Sequence, residues 1–288
     1  MKKLFEGIGI LSLVCISFLY TEKTVNVVKE YDEIMIAIKE ENENYKVEAK
    51  DACVVEDTII PGIKGKEVNM NSSYSKMKRY GKFNSNLLVY KEIIPTVSIS
   101  NNYDKYIVGG NAEKNMISFI FLVEENDTID NILKILDEKG IKGNFFVDGK
   151  WLEKNNHTLV KLIEQGHNVG NLSYNRDYTN SSYAWMDTFI KQVGKQKIGY
   201  CYNEIADLNA LQLCALSKNY TIRPNIIVKN YPLKEIKEQI SAGSIISMPI
   251  NKTVEKELPT VISYIISKGY TIENLENHLS ETPTQSHT

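Results

Sequence analysis

The run FFVDGKWLEKN, Phe145 to Asn155, and the run EQGHNVGN, Glu164 to Asn171, decide how the chain reads. The first leaves an apolar stretch, Gly143 to Val147, for a polar turn at Asp148-Gly149. Such a stretch fits a short strand buried on both faces. Leu159, Leu162 and Ile163 then recur at helical spacing and Gly166 ends that helix. The second run opens another strand at Asn168 to Asn171. Upstream, Ile117 to Val123 (ISFIFLV) is a further buried strand, and Ile129, Ile132, Leu133 and Leu136 give the next helix an apolar face that Gly140 closes. Downstream the alternation continues. Strands are expected near Lys197–Tyr202, Thr221–Val228, Ser244–Met248 and Tyr270–Ile272, with helices at Ile205–Ser217, Leu233–Ser241 and Val254–Ser267. Strand–helix units repeated at this length make an α/β fold around a parallel sheet. So many in about 170 residues point to a closed or nearly closed barrel, with an open doubly wound sheet as the alternative.

The chain has 288 residues, 42% of them apolar and 24% charged, with a formal net charge of −2. These proportions exclude default disorder and a polytopic membrane protein, and no global positive field exists to hold nucleic acid. Lys2 and Lys3 precede an apolar run, Gly7 to Tyr20, and no small-residue cleavage site follows. Residues 1–22 are therefore expected to be a signal anchor, or a cleaved signal as second choice, that carries the remainder outside the cell membrane. Residues 23–46 read as a charged stalk or linker helix, 47–111 as a small α+β domain with a short helix at Ser73–Tyr80, 112–280 as the barrel, and 281–288 as a flexible tail. Of the four cysteines, Cys15 lies in the apolar run. Cys53, Cys201 and Cys214 allow one disulfide, but buried free thiols are the simpler reading.

The two runs quoted first, with GSIISMP and KGYTIENL near the C-terminus, resemble the polysaccharide deacetylases of the NodB-homology, carbohydrate esterase type across roughly Asn115 to Ser280. The resemblance implies a distorted (β/α) barrel. It also implies a divalent metal held by an Asp and two His, a second Asp as base and a late His as acid, acting on N-acetylated sugars of peptidoglycan or chitin.

The positions that should carry this chemistry do not. Leu122 and Val123 stand for the two Asp of T-F-D-D-G, and Leu172 and Arg176 for the two His of H-x-x-x-H. Gly199 to Asn203 lacks the Arg and Pro of R-P-P-Y-G, and Ser247-Met248-Pro249 replaces L-x-H, so that Pro249 stands for the proton donor. Leucine offers no lone pair and a guanidinium repels a dication.

Glu124 and Glu125 read as a solvated pair, His157 as a surface residue, His167 as a structural hydrogen-bonding group, Asp148 as a turn residue, and His278 and His287 as tail residues. The expected protein is therefore an anchored, extracytoplasmic, catalytically inactive deacetylase-like protein with no cofactor. It binds cell-wall polysaccharide or a cell-envelope protein, and Tyr174, Tyr178, Tyr183 and Trp185 are candidates to stack on sugar rings. The alternative is an active metal-dependent deacetylase with a non-standard metal site.

Overall fold

The computed structural model describes residues 32–194 and 199–283, together with Ser17 and Lys29. The expected anchor, the first part of the stalk, Cys15 and His287 lie outside the described residues. Among those described, no helix is long and apolar enough to cross a membrane.

The strands are, in chain order, β1 (Cys53–Val55), β2 (Thr58–Ile60), β3 (Gly65–Val68), β4 (Tyr90–Ile93), β5 (Tyr106–Ile107), β6 (Met116–Val123), β7 (Asn144–Val147), β8 (Asn168–Asn171), β9 (Tyr200–Tyr202), β10 (Tyr220–Ile222), β11 (Ile226–Ile227), β12 (Ile245–Pro249) and β13 (Thr271–Ile272). They fall in two compact units.

The larger unit comprises residues 50–64 and 95 onward. Its sheet runs β1-β2-β5-β10-β9-β8-β7-β6-β12-β11, with β13 also on β6. Every pairing is parallel except the β1–β2 hairpin. Only three residues, Arg223-Pro224-Asn225, separate β10, which pairs β9, from β11, which pairs β12. This bend curls the sheet toward closure. Pro224 has no N–H to donate to a ladder, while the Asn225 side chain accepts from Ile245 N at 2.7 Å and ties the bend to β12.

Alternation along β6 explains its unbroken apolar run, because both faces are covered. Ile117, Phe119, Phe121 and Val123 belong to the core that the surrounding helices share with Phe145, Val147, Val169, Ile246 and Met248. Ile120 and Leu122 belong to the barrel interior with Phe146, Leu172, Tyr202, Ile222 and Ile245. Phe146 pairs in register with Gly170. A Cβ at Gly170 would collide with the Phe146 ring, so the glycine makes room for it. Three helices of this unit were not anticipated: Gly149–Lys154, Leu275–Leu279, and Asn180–Gly194 with Tyr183, Met186 and Ile190 buried at i, i+3 and i+7.

The smaller unit is discontinuous, with described parts 32–49 and 65–94. Helix Glu33–Tyr45, capped by the Asp32 carboxylate on Ile34 N, packs Ile34, Met35 and Ile38 against Val68, Tyr74, Met77 and Leu88. The β3–β4 pair is antiparallel, and helix Met70–Met77 connects its strands, followed by a 3-10 turn at Lys78–Tyr80.

This division differs from the expected 47–111 module. The hairpin β1–β2 and strand β5 extend the barrel sheet, because Ile59 and Ile107 find burial in the interior cluster. Ile99–Asn101 forms a 3-10 turn. The expected tail also begins later. The Glu281 carboxylate is buried, accepting from Gly62 N at 3.1 Å, Ile99 N at 3.2 Å and Ser98 Oγ at 2.5 Å. His278 is not a tail residue either. It sits fully buried in helix Leu275–Leu279, with Nδ1 2.8 Å from Ser118 Oγ.

Cys201 and Cys214 form a disulfide that joins β9 to helix Leu208–Leu216, and Cys53 is exposed and free. This corrects the free-thiol expectation. The sequence offered three pairings, and only the fold brings these two sulfurs together.

Candidate functional site

The C-terminal ends of β6, β7, β8, β9 and β12 meet at one mouth of the barrel, where α/β folds place their sites. Register aligns Pro249 with Leu122, Leu122 with Phe146, and Phe146 with Gly170. The expected base and acid positions, Leu122 and Pro249, are thus neighbours. Leu122 and Leu172 are buried members of the interior cluster, so they give the mouth an apolar floor. Val123 instead is fully buried in the helix-side core, one residue out of phase with Leu122.

Above the floor lies a cleft of about 530 Å³ lined by Glu124, Asp127, Asp148, Leu172, Asn175 and Arg176, among others. Arg176 dominates it. Its Nη2 donates to Glu124 Oε1 at 2.8 Å, Nη1 lies 3.7 Å from Glu204 Oε2, and the guanidinium stands 6.0 Å from the Tyr202 ring centre. The turn that presents it carries three residues with positive φ: Ser173 at 56°, Asn175 at 52° and Arg176 at 60°. Non-glycine residues adopt this conformation rarely and only where surroundings hold them. Here Asp148 does so. Its Oδ2 accepts from Asn175 N at 2.5 Å, while Oδ1 caps helix Gly149–Lys154 through Lys150 N at 2.8 Å. Asn171 adds a 2.7 Å bond from Ser173 N. Asp148 is therefore more than a turn residue: it fixes both loops of the cleft.

The remaining carboxylates are engaged too. Glu125 accepts from Lys154 at 2.8 Å and pairs with Lys150 at 3.5 Å, and the Lys154 bond first among these lowers its pKa. Asp127 Oδ2 accepts from Glu124 N at 2.8 Å, and burial raises the Asp127 pKa. Glu204, Tyr202 and Asp127 were not singled out in the sequence. Glu204 directly follows the stretch that should carry the third motif, and that was the available signal.

The described histidines, His157, His167 and His278, do not line the cleft. His167 is buried beside Gly143, whose N–H donates to Nδ1 at 3.0 Å. Burial, then Lys142, lowers its pKa to about 4. Burial likewise lowers His278 to about 3. His157 is exposed next to Thr158. Among the described residues, no three His, Cys, Asp or Glu side chains are grouped to hold a metal ion. The donor set thus does not fit the divalent metal that the fold implies: the ligand positions present a leucine methyl and a cation.

The four aromatic candidates divide into two pairs. Tyr178 and Tyr183 lie 6.1 Å apart beside the disulfide. Tyr183 is buried, and the Tyr178 hydroxyl sits among Asn171 O (2.7 Å), Tyr202 O (3.0 Å) and Tyr202 N (3.1 Å), so this pair is structural. Tyr174 and Trp185 lie 6.0 Å apart, and Trp185 stacks on Phe189 at 5.5 Å. Trp185 is 42% exposed. Tyr174 donates to Glu153 at 2.6 Å, and burial first, then that carboxylate, raises its pKa to about 12.

Residues 109–198 match the polysaccharide deacetylase family. The chain is a polysaccharide deacetylase-like protein. It is 33% identical over 156 residues to the uncharacterized protein YlxY of Bacillus subtilis, a match that covers 53% of this chain and about half (48%) of that relative's length. Among solved structures, it resembles wild-type BA3943 of Bacillus anthracis, described as a family 4 carbohydrate esterase pseudoenzyme. The TM-score there is 0.67 at 22% identity, covering 88% of this chain and 97% of that one. The esterase PdaA of Bacillus subtilis gives a TM-score of 0.54 at 19% identity, covering 62% of this chain and 86% of that one. These likenesses establish the curled (β/α) barrel of the NodB type. At the family's motif positions the chain carries Leu122, Val123, Leu172, Arg176 and Pro249 in place of the carboxylates and histidines.

Proposed function

We propose that the protein is a non-catalytic glycan-binding member of the deacetylase family, held outside the cell by its N-terminal segment. The observation that carries this reading is Arg176, which stands at a metal-ligand position and is clamped between Glu124 and Glu204. A cation fixed there excludes a dication by repulsion, and the leucine floor supplies neither base nor acid. Glycan binding draws support from Trp185, exposed between the partly buried rings of Tyr174 and Phe189, since pyranose rings stack on aromatic faces of this kind. Export draws support from Lys2-Lys3 and the apolar run after them, and from the Cys201–Cys214 disulfide, which persists in oxidising compartments.

The test is titration of the detergent-solubilised full chain with an N-acetylglucosamine oligomer, read by tryptophan fluorescence and calorimetry. Saturable binding without acetate release is expected. Trp185→Ala should weaken binding several-fold while the chain stays folded, because the side chain is 42% exposed. Equal affinity of wild type and Trp185→Ala would remove the glycan platform. Recovery of the chain in the soluble fraction of lysed cells would remove the anchor.

A further inference from the structure

The smaller unit carries a charge asymmetry that the barrel does not explain. From Met70 to Lys91 there are five cations, Lys76, Lys78, Arg79, Lys82 and Lys91, and no carboxylate. The chain as a whole holds 36 acids against 34 Lys and Arg, so a 22-residue window would carry two or three acids at the average frequency. Helix Met70–Met77 turns Tyr74 and Met77 into the core. On its outer side Ser72, Ser75, Lys76 and Arg79 follow at i, i+3, i+4 and i+7, one face of the helix and the turn after it. These four, with Asn71 and Tyr80, line a cleft of about 630 Å³. Lys29 reaches the same rim, donating to Asn71 Oδ1 at 2.7 Å. Asp32 accepts from Ile34 N at 3.0 Å and from the Tyr74 hydroxyl at 3.0 Å. Among the described residues, Lys76, Arg79 and Lys82 have no ion-pair partner.

The geometry points to a second binding site here, one that takes the phosphate groups of a phosphodiester or polyphosphate chain. Arg79 offers a planar fork for two phosphate oxygens and Lys76 a point charge beside it. The Ser72 hydroxyl continues the row along the helix, while that of Ser75 donates to Asn71 O at 2.8 Å. Unpaired cations next to hydroxyl groups in a concave surface match a tetrahedral oxyanion better than a neutral sugar. A flat membrane surface fits less well. The lining contains no aliphatic side chain to enter the acyl boundary, and of its residues only Tyr80, 66% exposed, is large and apolar.

The experiment uses the full chain in neutral detergent, titrated with inorganic polyphosphate at several salt concentrations. Saturable binding that weakens with salt is expected. The double variant Lys76→Gln/Arg79→Gln should lose about tenfold in affinity and flatten the salt slope by about two. Lys234→Gln/Lys237→Gln, on the exposed side of helix Pro232–Gln239, should bind like wild type. Both variants change exposed side chains, and circular dichroism checks that they fold. Absence of polyphosphate binding at low salt, or equal loss in both double variants, overturns the site. A parallel arm sediments the chain in detergent-free nanodiscs with anionic phosphatidylglycerol vesicles. Vesicle capture that depends on Lys76 and Arg79 while polyphosphate fails to compete would assign the patch to lipid and overturn the polymer reading.

Discussion

The interior of the barrel and its mouth, two or three residues apart along β7 and β8, have opposite characters. Below, Phe146 fills the space left by Gly170, and Ile120, Leu122 and Ile222 close the interior around it. Every choice there serves packing. Above, the Ser173–Arg176 turn holds three residues at positive φ, and its charges pair among themselves. A fold depends on the first region and a reaction on the second, so a sequence can keep one and lose the other. Leu172 marks the boundary: at an expected ligand position, it belongs to the core.

The largest test of this contrast is in the interior. Phe146→Ala should cost roughly 3–5 kcal/mol, and Gly170→Ala about 1–3 kcal/mol because its Cβ meets the same ring. Denaturant unfolding measures both, and wild-type midpoints would mean that the interior is not packed as described. The disulfide comes next. Replacing Cys201 and Cys214 by Ser should cost about 3 kcal/mol for a loop of this size, since the two are 13 residues apart. Unchanged stability in oxidising buffer would show that the bond is not formed.

The buried imidazoles give a pH dependence of known sign. His167 and His278 release their protons near pH 4 and 3 when folded, against 6.5 for an ordinary histidine. The unfolded chain therefore binds more protons below about pH 6.5. The stability these groups contribute is complete above that pH and declines as the pH falls toward 4. His167→Asn retains an acceptor for Gly143 N and removes the titration, so its unfolding midpoint should depend less steeply on pH between 6.5 and 4. An unchanged slope would assign the effect to other groups.

The mouth should be far more tolerant. Arg176 is 39% exposed and its pairs are solvent-screened, so Arg176→His should shift stability by no more than about 1 kcal/mol. A loss comparable to Phe146→Ala would make the Arg176 turn part of the core and erase the contrast.

The parallel core was legible because β6 to β8 and their helices announce themselves through local patterns: an apolar run, then faces at i, i+3 and i+4 closed by Gly140 and Gly166, which adopt φ of 66° and 81°. What sequence did not reveal depends on distant partners. Strand β2 finds β5 across 45 residues of intervening chain, and each is two or three residues long, too short for a periodicity to register. Glu281 looks like a tail residue until Gly62, Ser98 and Ile99 surround it. Tyr178 and Tyr183 looked like a sugar platform because sequence adjacency to Trp185 says nothing of burial. The residues at the motif positions could be read one by one, but the Arg176–Glu204 pairing could not, since it joins loops after different strands.

The account turns on whether the mouth holds a catalytic metal, and zinc analysis of the purified full chain, paired with an acetate-release assay on an N-acetylglucosamine oligomer, tests that most directly. Substoichiometric zinc and no acetate above the protein-free control are predicted, for wild type and for Arg176→His alike. Stoichiometric zinc that disappears in Glu124→Ala or His167→Ala, with metal-dependent acetate release, would contradict it.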